Sequence, residues 1–260
     1  MNHEVRLMSL LALSMFVGTK TTRIQDELPP KKTLNIVFIG DSITEGDGAG
    51  APPVHAVNYL QGQQAIEKIN FSNQGHSGFT TVNFLPSGGD TFKQVEHAAD
   101  SLIKLNNGIL VFSVMLGTND SAIDGPLGSP VSPADYRKNI MAIADRLLND
   151  YPGCKIILHH ATWYSPNTYN SSRYLAEGLQ RLQSYFPEIN TIIKTYNHSH
   201  PQQVFAGDIA AFDFFQKNHL AYLIPENGQQ GVFYLHPNKD GAKILGDFWG
   251  TAILKLTDKF

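Results

Sequence analysis

Short apolar runs alternate with longer amphipathic stretches from Leu34 to the C-terminal end of the chain. Several of the runs are nearly continuous in Ile, Val, Leu and Phe, which is typical of strands that are buried on both faces. The predicted strands are Leu34–Gly40, Ile69–Asn73, Ile109–Leu116, Lys155–His159 and Gln203–Ala206. The segments between them have helical length and spacing. The predicted helices lie at about Val57–Lys68, Thr91–Leu105, Ala134–Asn149, Tyr174–Tyr196 and Asn238–Asp258.

This alternation of strands and helices predicts a single α/β domain. Strands that are joined through helices run parallel, and the helices then cover both faces of the sheet. We therefore expect a doubly wound parallel sheet of about five strands. No repeat, heptad pattern or low-complexity tract interrupts the alternation. In such folds ligands bind beyond the carboxyl ends of the strands.

The N-terminal region has a different character. Leu7–Gly18 is an apolar run that follows Arg6 and precedes a polar stretch ending at Lys32. The run is too short to span a bilayer, which takes about 20 residues. We expect residues 1–32 to be a signal peptide and linker, residues 33–260 to be the folded domain, and the protein to be secreted or periplasmic without stable membrane insertion. The alternative is a buried N-terminal helix.

Composition narrows the possible classes of protein. Of the 260 residues, 42% are hydrophobic and 17% are charged, which excludes a disordered chain. The net charge is -3 and no cluster of Lys and Arg occurs, so we expect no nucleic-acid partner. A single cysteine excludes an internal disulfide and a zinc site built from cysteines. The oligomeric state stays open.

Residue types suited to acyl transfer follow the predicted strands. The segments are Gly40–Gly46, Gly75–Thr80 and Gly117–Asp120, with Leu235–Asn238 directly before the last helix. Each segment alone is also explained as a turn or a helix cap. Together they place a serine, an asparagine, a histidine and several glycines at one edge of the sheet, which favours a catalytic site.

Ester hydrolysis by a serine needs a nucleophile, a base and donors for the oxyanion. Ser42 lies where a strand gives way to a helix, and His236 is the natural base because imidazole titrates near neutral pH. The backbone N–H groups of Ser42 and Gly78 and the side-chain amide of Asn119 are the candidate oxyanion donors.

The four segments GDSITEG, NQGHSGFT, GTND and LHPN resemble, in order, the conserved blocks of the SGNH (GDSL) hydrolase superfamily. The resemblance implies a three-layer α/β/α sandwich with a flavodoxin-like sheet. It also implies Ser42 as nucleophile, His236 as base, Ser42, Gly78 and Asn119 as the oxyanion hole, and no metal or organic cofactor.

A narrower similarity links WYSPN at residues 163–167, Tyr174-Leu175 and the ending FYLHPNKDGAKILGDFW to bacterial sialate O-acetylesterase-like and related carbohydrate esterases. It implies a small-molecule or glycan ester as the partner, with short acyl groups such as acetyl on a sugar such as sialic acid. Asp41, Trp163 and Tyr164 are the candidate substrate-binding residues.

One position departs from the family pattern. The superfamily usually has an aspartate three residues before the histidine, and this chain has Phe233 there. The imidazole then needs another group to orient it. We expect a Ser–His dyad with a backbone carbonyl in that role, and Glu226 is the second option.

Three other functions stay open at this point. A lipase or lysophospholipase of the same fold would act on longer acyl chains. A metal-dependent phosphoesterase would use histidines such as His159 and His160. A non-catalytic carbohydrate-binding module would use aromatic residues, among them Trp163, Tyr164, Tyr169 and Tyr174.

Overall fold

The computed structural model describes residues 30–260. The apolar run at Leu7–Gly18 and the rest of residues 1–29 lie outside these residues, so the signal peptide stays a prediction. Lys32, predicted to end the linker, already belongs to the first strand. The strands are β1 (Lys32–Gly40), β2 (Ile66–Gly75), β3 (Ile109–Met115), β4 (Lys155–Leu158), β5 (Val204–Ala206), β6 (Leu223–Gly228) and β7 (Gly231–Pro237). The helices are α1 (Ser42–Glu45), α2 (Pro52–Gln61), α3 (Asp90–Leu105), α4 (Pro133–Asp150), α5 (Leu175–Ser199), α6 (Ala211–Tyr222) and α7 (Lys239–Leu256). No helix within residues 30–260 has the length and apolar character needed to cross a membrane.

Five parallel strands form the central sheet in the order β2-β1-β3-β4-β5. Helix α2 packs on α7, which also contacts α6, and α4 packs on α5. Right-handed crossovers place the α2 and α7 group on one face of the sheet and α3, α4 and α5 on the other. The predicted three-layer α/β/α sandwich with a doubly wound parallel sheet of five strands is confirmed.

Strand β1 forms the centre of the core. Every side chain from Leu34 to Ile39 is at most 1% exposed, because helices cover both faces of the sheet. Trp249 of α7 lies over Phe38, with ring centroids 6.1 Å apart and the rings 22° from parallel. A strand in this position is apolar on both sides, as its sequence predicts, except at Asn35, whose amide is hydrogen-bonded to Asn70 and Asn106.

The structure differs from the predicted elements in two places. Helix α2 starts at Pro52 and ends at Gln61, and the last three residues of the predicted helix, 66–68, belong to β2. Two proline residues at the first helical positions explain the early start, because their fixed φ suits the first turn. The prediction also lacks α6 and the antiparallel hairpin of β6 and β7, which lies outside the central sheet.

Candidate active site

Ser42 stands at the end of the central strand. Strand β1 ends at Gly40, and Asp41 then caps α1 by accepting a hydrogen bond from the N–H of Ile43 at 3.0 Å. A Cβ at Gly40 would lie 2.0 Å from Thr44 Oγ1, so only glycine permits this tight change from strand to helix. Ser42 is therefore the first residue of α1, at the edge of the sheet and half-buried.

The hydroxyl of Ser42 meets an imidazole from the other end of the chain. Ser42 Oγ lies 3.0 Å from Nε2 of His236, which is on β7. On the other side of the ring, Nδ1 lies 2.9 Å from Oε1 of Glu226 on β6. An ionised carboxylate only accepts, so Nδ1 carries the proton and Nε2 is free to accept one from Ser42.

Glu226 reaches the histidine across the hairpin. In the β6–β7 ladder Glu226 stands directly opposite Phe233, whose side chain is buried. The sequence-based expectation of a backbone carbonyl at Nδ1 is therefore wrong, and the second option, Glu226, is the group that occupies this place. The carboxylate comes from the residue that pairs with position 233 rather than from position 233 itself.

A bulge in the β6–β7 hairpin sets the direction of the His236 imidazole. Leu223 pairs with Pro237, whereas Pro225 pairs with Tyr234, so β7 has one extra residue in this interval. Side chains alternate along a strand, and an extra residue reverses the side to which the next ones point. The bulge therefore turns His236 towards the side that carries Glu226. The same carboxylate oxygen also accepts from the backbone N–H of His236 at 3.3 Å.

The candidate oxyanion donors Gly78 and Asn119 lie close to each other at the edge of the sheet that carries Ser42, although neither lines the cleft described below. Asn119 is buried in the segment after β3, and its Nδ2 donates to the carbonyl of Phe79 at 2.9 Å, next to Gly78. Because β1 and β3 are neighbours in the sheet, this segment lies at the same edge as Ser42. Gly78 has φ +76°, and a Cβ there would meet no atom within 4 Å, so its backbone conformation is what requires glycine.

Hydrogen bonds from Ser77 to Glu45 hold the loop that carries Gly78 against α1. The Glu45 carboxylate accepts from the backbone N–H of Ser77 at 2.8 Å and also from the Ser77 hydroxyl. Gly75 allows the two segments to approach, because a Cβ there would lie 2.2 Å from the backbone nitrogen of Glu45. The Gly78 amide is thus positioned from the same helix that begins with Ser42.

An open cleft of about 620 Å³ gives access to the serine and the histidine. Its walls come from α1, the start of α2, the β6–β7 hairpin and the start of α7. The lining residues besides Ser42 and His236 are Ile43, Gly46, Asp47, Gly50, Pro52, Ser77, Ile224, Pro237, Asn238, Lys239 and Ala242. The cleft therefore combines apolar walls with charged and hydroxyl groups.

The family model for the GDSL-like lipase/acylhydrolase family matches residues 38–244, which is most of the chain. The chain belongs to this family. Residues 38–244 include Ser42, Gly78, Asn119, Glu226 and His236, so the whole arrangement described above lies within the GDSL-like region. Membership makes the protein an acylhydrolase of the esterase and lipase type. Comparison with curated proteins gives no match.

Solved structures share the fold of this GDSL-like chain. A carbohydrate acetylesterase from Sinorhizobium meliloti is 15% identical, with a TM-score of 0.55 over 85% of this chain and 99% of that one. The M. smegmatis aryl esterase is 16% identical, with a TM-score of 0.57 over 85% and 99%. A family 3 carbohydrate esterase from Clostridium thermocellum is 17% identical, with a TM-score of 0.54 over 86% and 97%.

Burial corrects the predicted substrate-binding residues of this GDSL-like protein. Asp41, Trp163 and Tyr164 are 0%, 5% and 0% exposed, and none of them lines the cleft. Asp41 is the cap of α1, and burial raises the pKa of its carboxyl to about 6 against the opposing hydrogen bond from Ile43. The two aromatic side chains pack in the interior, so they do not offer faces for a sugar to stack on.

Of the two histidines after β4, His159 is buried and His160 is half-buried. His159 Nδ1 accepts the backbone N–H of Asp208 at 2.9 Å, and Nε2 lies 2.9 Å from the Ser113 hydroxyl. Both ring nitrogens of His159 thus have protein partners, whereas the ring of His160 stacks on Phe186 with centroids 4.0 Å apart. Burial lowers the pKa of His159 to about 3 and that of His160 to about 4. Across residues 30–260, no group of three or more His, Cys, Asp and Glu side chains is arranged to hold a metal ion.

Proposed function

We propose that this GDSL-like protein is a serine esterase that removes short acyl groups, chiefly acetyl, from a sugar or glycan such as sialic acid. The observation that carries the proposal is the hydrogen-bonded series from Ser42 Oγ to His236 Nε2 and from Nδ1 to Glu226, with contacts of 3.0 and 2.9 Å. The series opens into the cleft, where an ester can reach the hydroxyl.

In the first half of the reaction His236 takes the proton of Ser42, and the serine oxygen attacks the ester carbonyl carbon. The carbonyl oxygen becomes negatively charged. The N–H groups of Ser42 and Gly78 and the amide of Asn119 then donate to it. When the tetrahedral species collapses, the C–O bond to the sugar breaks and the sugar oxygen leaves with the proton from His236.

The second half repeats these steps with water. Water loses a proton to His236 and attacks the acyl-enzyme, and the acid departs as Ser42 recovers its proton. In both halves the imidazole becomes positively charged beside Glu226. The carboxylate at 2.9 Å holds Nδ1–H in the productive tautomer and stabilises that charge.

The polar part of the cleft supports a sugar as the alcohol. Asp47, Ser77 and Lys239 offer charged and hydroxyl partners beside Ser42. Lys239 supplies a positive charge that suits the carboxylate of an acidic sugar. Two structurally similar proteins are named as carbohydrate esterases, which agrees with this choice of substrate class.

We extend the proposal to cellular location. The apolar run at Leu7–Gly18 after Arg6 supports export, so the enzyme would act on glycans outside the cytoplasm. Fractionation of cells that express the full chain tests this directly. Recovery of the shortened protein in the periplasm or medium supports export, and full-length protein retained in the cytoplasm contradicts it.

A substrate panel with a labelling control tests the activity. We expect p-nitrophenyl acetate to be turned over faster than the octanoate, and acetate to be released from acetylated sialic acid. Ser42→Ala should abolish both turnover and labelling by a fluorophosphonate. Ser101→Ala, which removes a hydroxyl bonded only to the carbonyl of His97 on α3, is the matched control and should keep both. Preference for octanoate would instead indicate a lipase, and an unlabelled Ser42 would contradict a serine esterase.

A second comparison tests the acidic sugar. Lys239→Ala should raise KM for acetylated sialic acid several-fold and leave KM for acetylated xylan unchanged. Lys243→Ala, one turn further along α7 and paired with Asp247 at 2.8 Å, is the control. An equal effect of Lys239→Ala on both substrates would contradict charge recognition of the sugar.

A further inference from the structure

The side-chain amide of Asn119 has to face the oxyanion in one of its two orientations. Its NH₂ group stabilises a negative oxygen, whereas its carbonyl oxygen in the same place would repel it. Asn119 is only 4% exposed, so solvent does not select the orientation. Some group of the protein must fix it.

Two neighbours determine which end of the amide points where. The carbonyl of Phe79 can only accept, so the atom 2.9 Å from it is the nitrogen Nδ2. The other end, Oδ1, then accepts from the hydroxyl of Tyr174 at 2.6 Å. Nδ2 has two N–H groups, and the bond to Phe79 uses one of them. The second is the donor that the oxyanion requires.

Tyr174 is built into the protein as a fixed donor. It is 3% exposed, and its ring meets that of Tyr164 edge to face, with centroids 5.4 Å apart. Burial, with the nearby Asp41 carboxylate, raises the pKa of Tyr174 well above its ordinary value. The phenol therefore keeps its proton throughout the working pH range.

The backbone around Tyr174 is held in an uncommon conformation. The N–H groups of Tyr174 and Leu175 both donate to the carbonyl of Thr168, each at 3.2 Å. Leu175 has φ +57°, a left-handed conformation that non-glycine residues seldom adopt. The junction between this loop and α5 thus fixes the direction of the tyrosine side chain.

We propose that Tyr174 is a positioning residue that orients the Asn119 amide for the oxyanion, an inference that rests on the proposed esterase function. Tyr174 itself does not line the cleft. Its hydroxyl acts through Asn119, so its removal should matter only while the asparagine is present. This dependence separates a positioning role from a merely structural one.

A double-mutant cycle tests the inference on p-nitrophenyl acetate. Asn119→Ala should lower kcat by about 100- to 1000-fold, as expected for a lost oxyanion donor. Tyr174→Phe should lower kcat about tenfold or more with KM changed less than threefold, because the Phe79 carbonyl is then the one remaining partner within residues 30–260 that holds the amide. In the Asn119→Ala background, Tyr174→Phe should change kcat less than twofold.

Tyr185→Phe is the matched control. Tyr185 is likewise a buried tyrosine, lies on α5, and donates to a backbone carbonyl, that of Val131, at 2.7 Å. We expect its kcat to stay within threefold of the parent. If Tyr174→Phe does not fold, as judged by circular dichroism, Tyr174→Met replaces it, since methionine also lacks the donor and adapts its shape to the space.

Two results would overturn the inference alone. These are an undiminished kcat in Tyr174→Phe, and an equal fold-loss in the presence and absence of Asn119. A parent enzyme with no ester turnover and no fluorophosphonate labelling would overturn the proposed function itself, together with the inference. The two failures are therefore distinguishable in the same experiment.

Discussion

Replacement of Glu226 is the most informative single perturbation of the site. Glu226→Gln keeps an oxygen that can accept from Nδ1 and from the backbone N–H of His236, but it removes the negative charge. Glu226→Ala removes both the charge and the acceptor. The two variants therefore separate stabilisation of the imidazolium from orientation of the ring.

The geometry sets the size of the expected losses. Two unit charges about 4 Å apart interact by about 4 kcal/mol at an effective dielectric constant of about 20. The carboxylate lies 2.9 Å from Nδ1, but the Glu226 and His236 side chains are 25% and 30% exposed, so solvent screens part of the interaction. An energy of about 2–4 kcal/mol corresponds to about 30- to 1000-fold in rate for Glu226→Gln.

Glu226→Ala should lower kcat more than Glu226→Gln does, because the unproductive tautomer of the His236 imidazole also becomes accessible. The loss in kcat should reach about 1000- to 10000-fold and approach that of His236→Ala. Steady-state kinetics on p-nitrophenyl acetate measure these values, with Glu67→Gln on the exposed edge strand β2 as the control. A loss below threefold in Glu226→Ala would refute the role of the carboxylate and return the site to a Ser–His dyad.

Three further predictions address the loops and the buried charges. Gly78→Ala should lower kcat more than 10-fold in the acetate assay while the protein stays folded, because alanine disfavours φ +76° and the backbone N–H of residue 78 is then displaced. A kcat within threefold of the parent would contradict this. Glu45→Gln should lower kcat about tenfold, because the hydrogen bonds to Ser77 that position the Gly78 loop are then no longer made to a charged acceptor. Unchanged kinetics would show that the loop keeps its conformation without the Glu45 carboxylate. Burial raises the pKa of Asp120 from 3.8 to about 7. Between about pH 4 and pH 7 the folded state therefore keeps a proton that the unfolded state loses, and the free energy of unfolding decreases as pH rises through this range. Urea unfolding of Asp120→Asn should therefore show a stability gain over the parent that grows with pH by up to about 4 kcal/mol, and a pH-independent difference would refute it.

The sequence predicts the sheet well because its strands are buried on both faces. An apolar run such as Leu34–Gly40 has no other stable place in an α/β protein of this length. The bounds of α2 are less well predicted. Its end is missed because the apolar spacing of Val57–Lys68 continues past the helix into β2. A pair of prolines at residues 52 and 53 was the local signal for the true start.

The sequence signal for the hairpin of β6 and β7 is a pair of glycines, and it is weaker than the apolar runs of the central strands. Gly228 and Gly231 enclose a two-residue turn, and such turns join antiparallel strands. Ladder partners follow from the turn, and they place Glu226 opposite Phe233. The bulge that aims His236 has no comparable signal, because it depends on how the hairpin packs.

Burial of the aromatic residues depends on tertiary packing rather than on local pattern. Trp163 and Tyr164 follow β4 at the edge where ligands bind in this fold, so their position alone favours contact with a substrate. In the structure the Tyr164 hydroxyl instead lies 2.8 Å from that of Ser121, and the Trp163 ring meets that of His219. A sequence shows that a side chain is near an edge but not which way it points.

A catalytic histidine needs a carboxylate at a given point in space, not at a given distance along the chain. Phe233 is buried opposite Glu226, so an aspartate at that position would place a charge in the interior. Placing the acid on the paired strand avoids this cost, because Glu226 stays 25% exposed while its longer side chain reaches Nδ1. The hairpin and its bulge thus let an apolar residue at position 233 and a charged partner for His236 coexist.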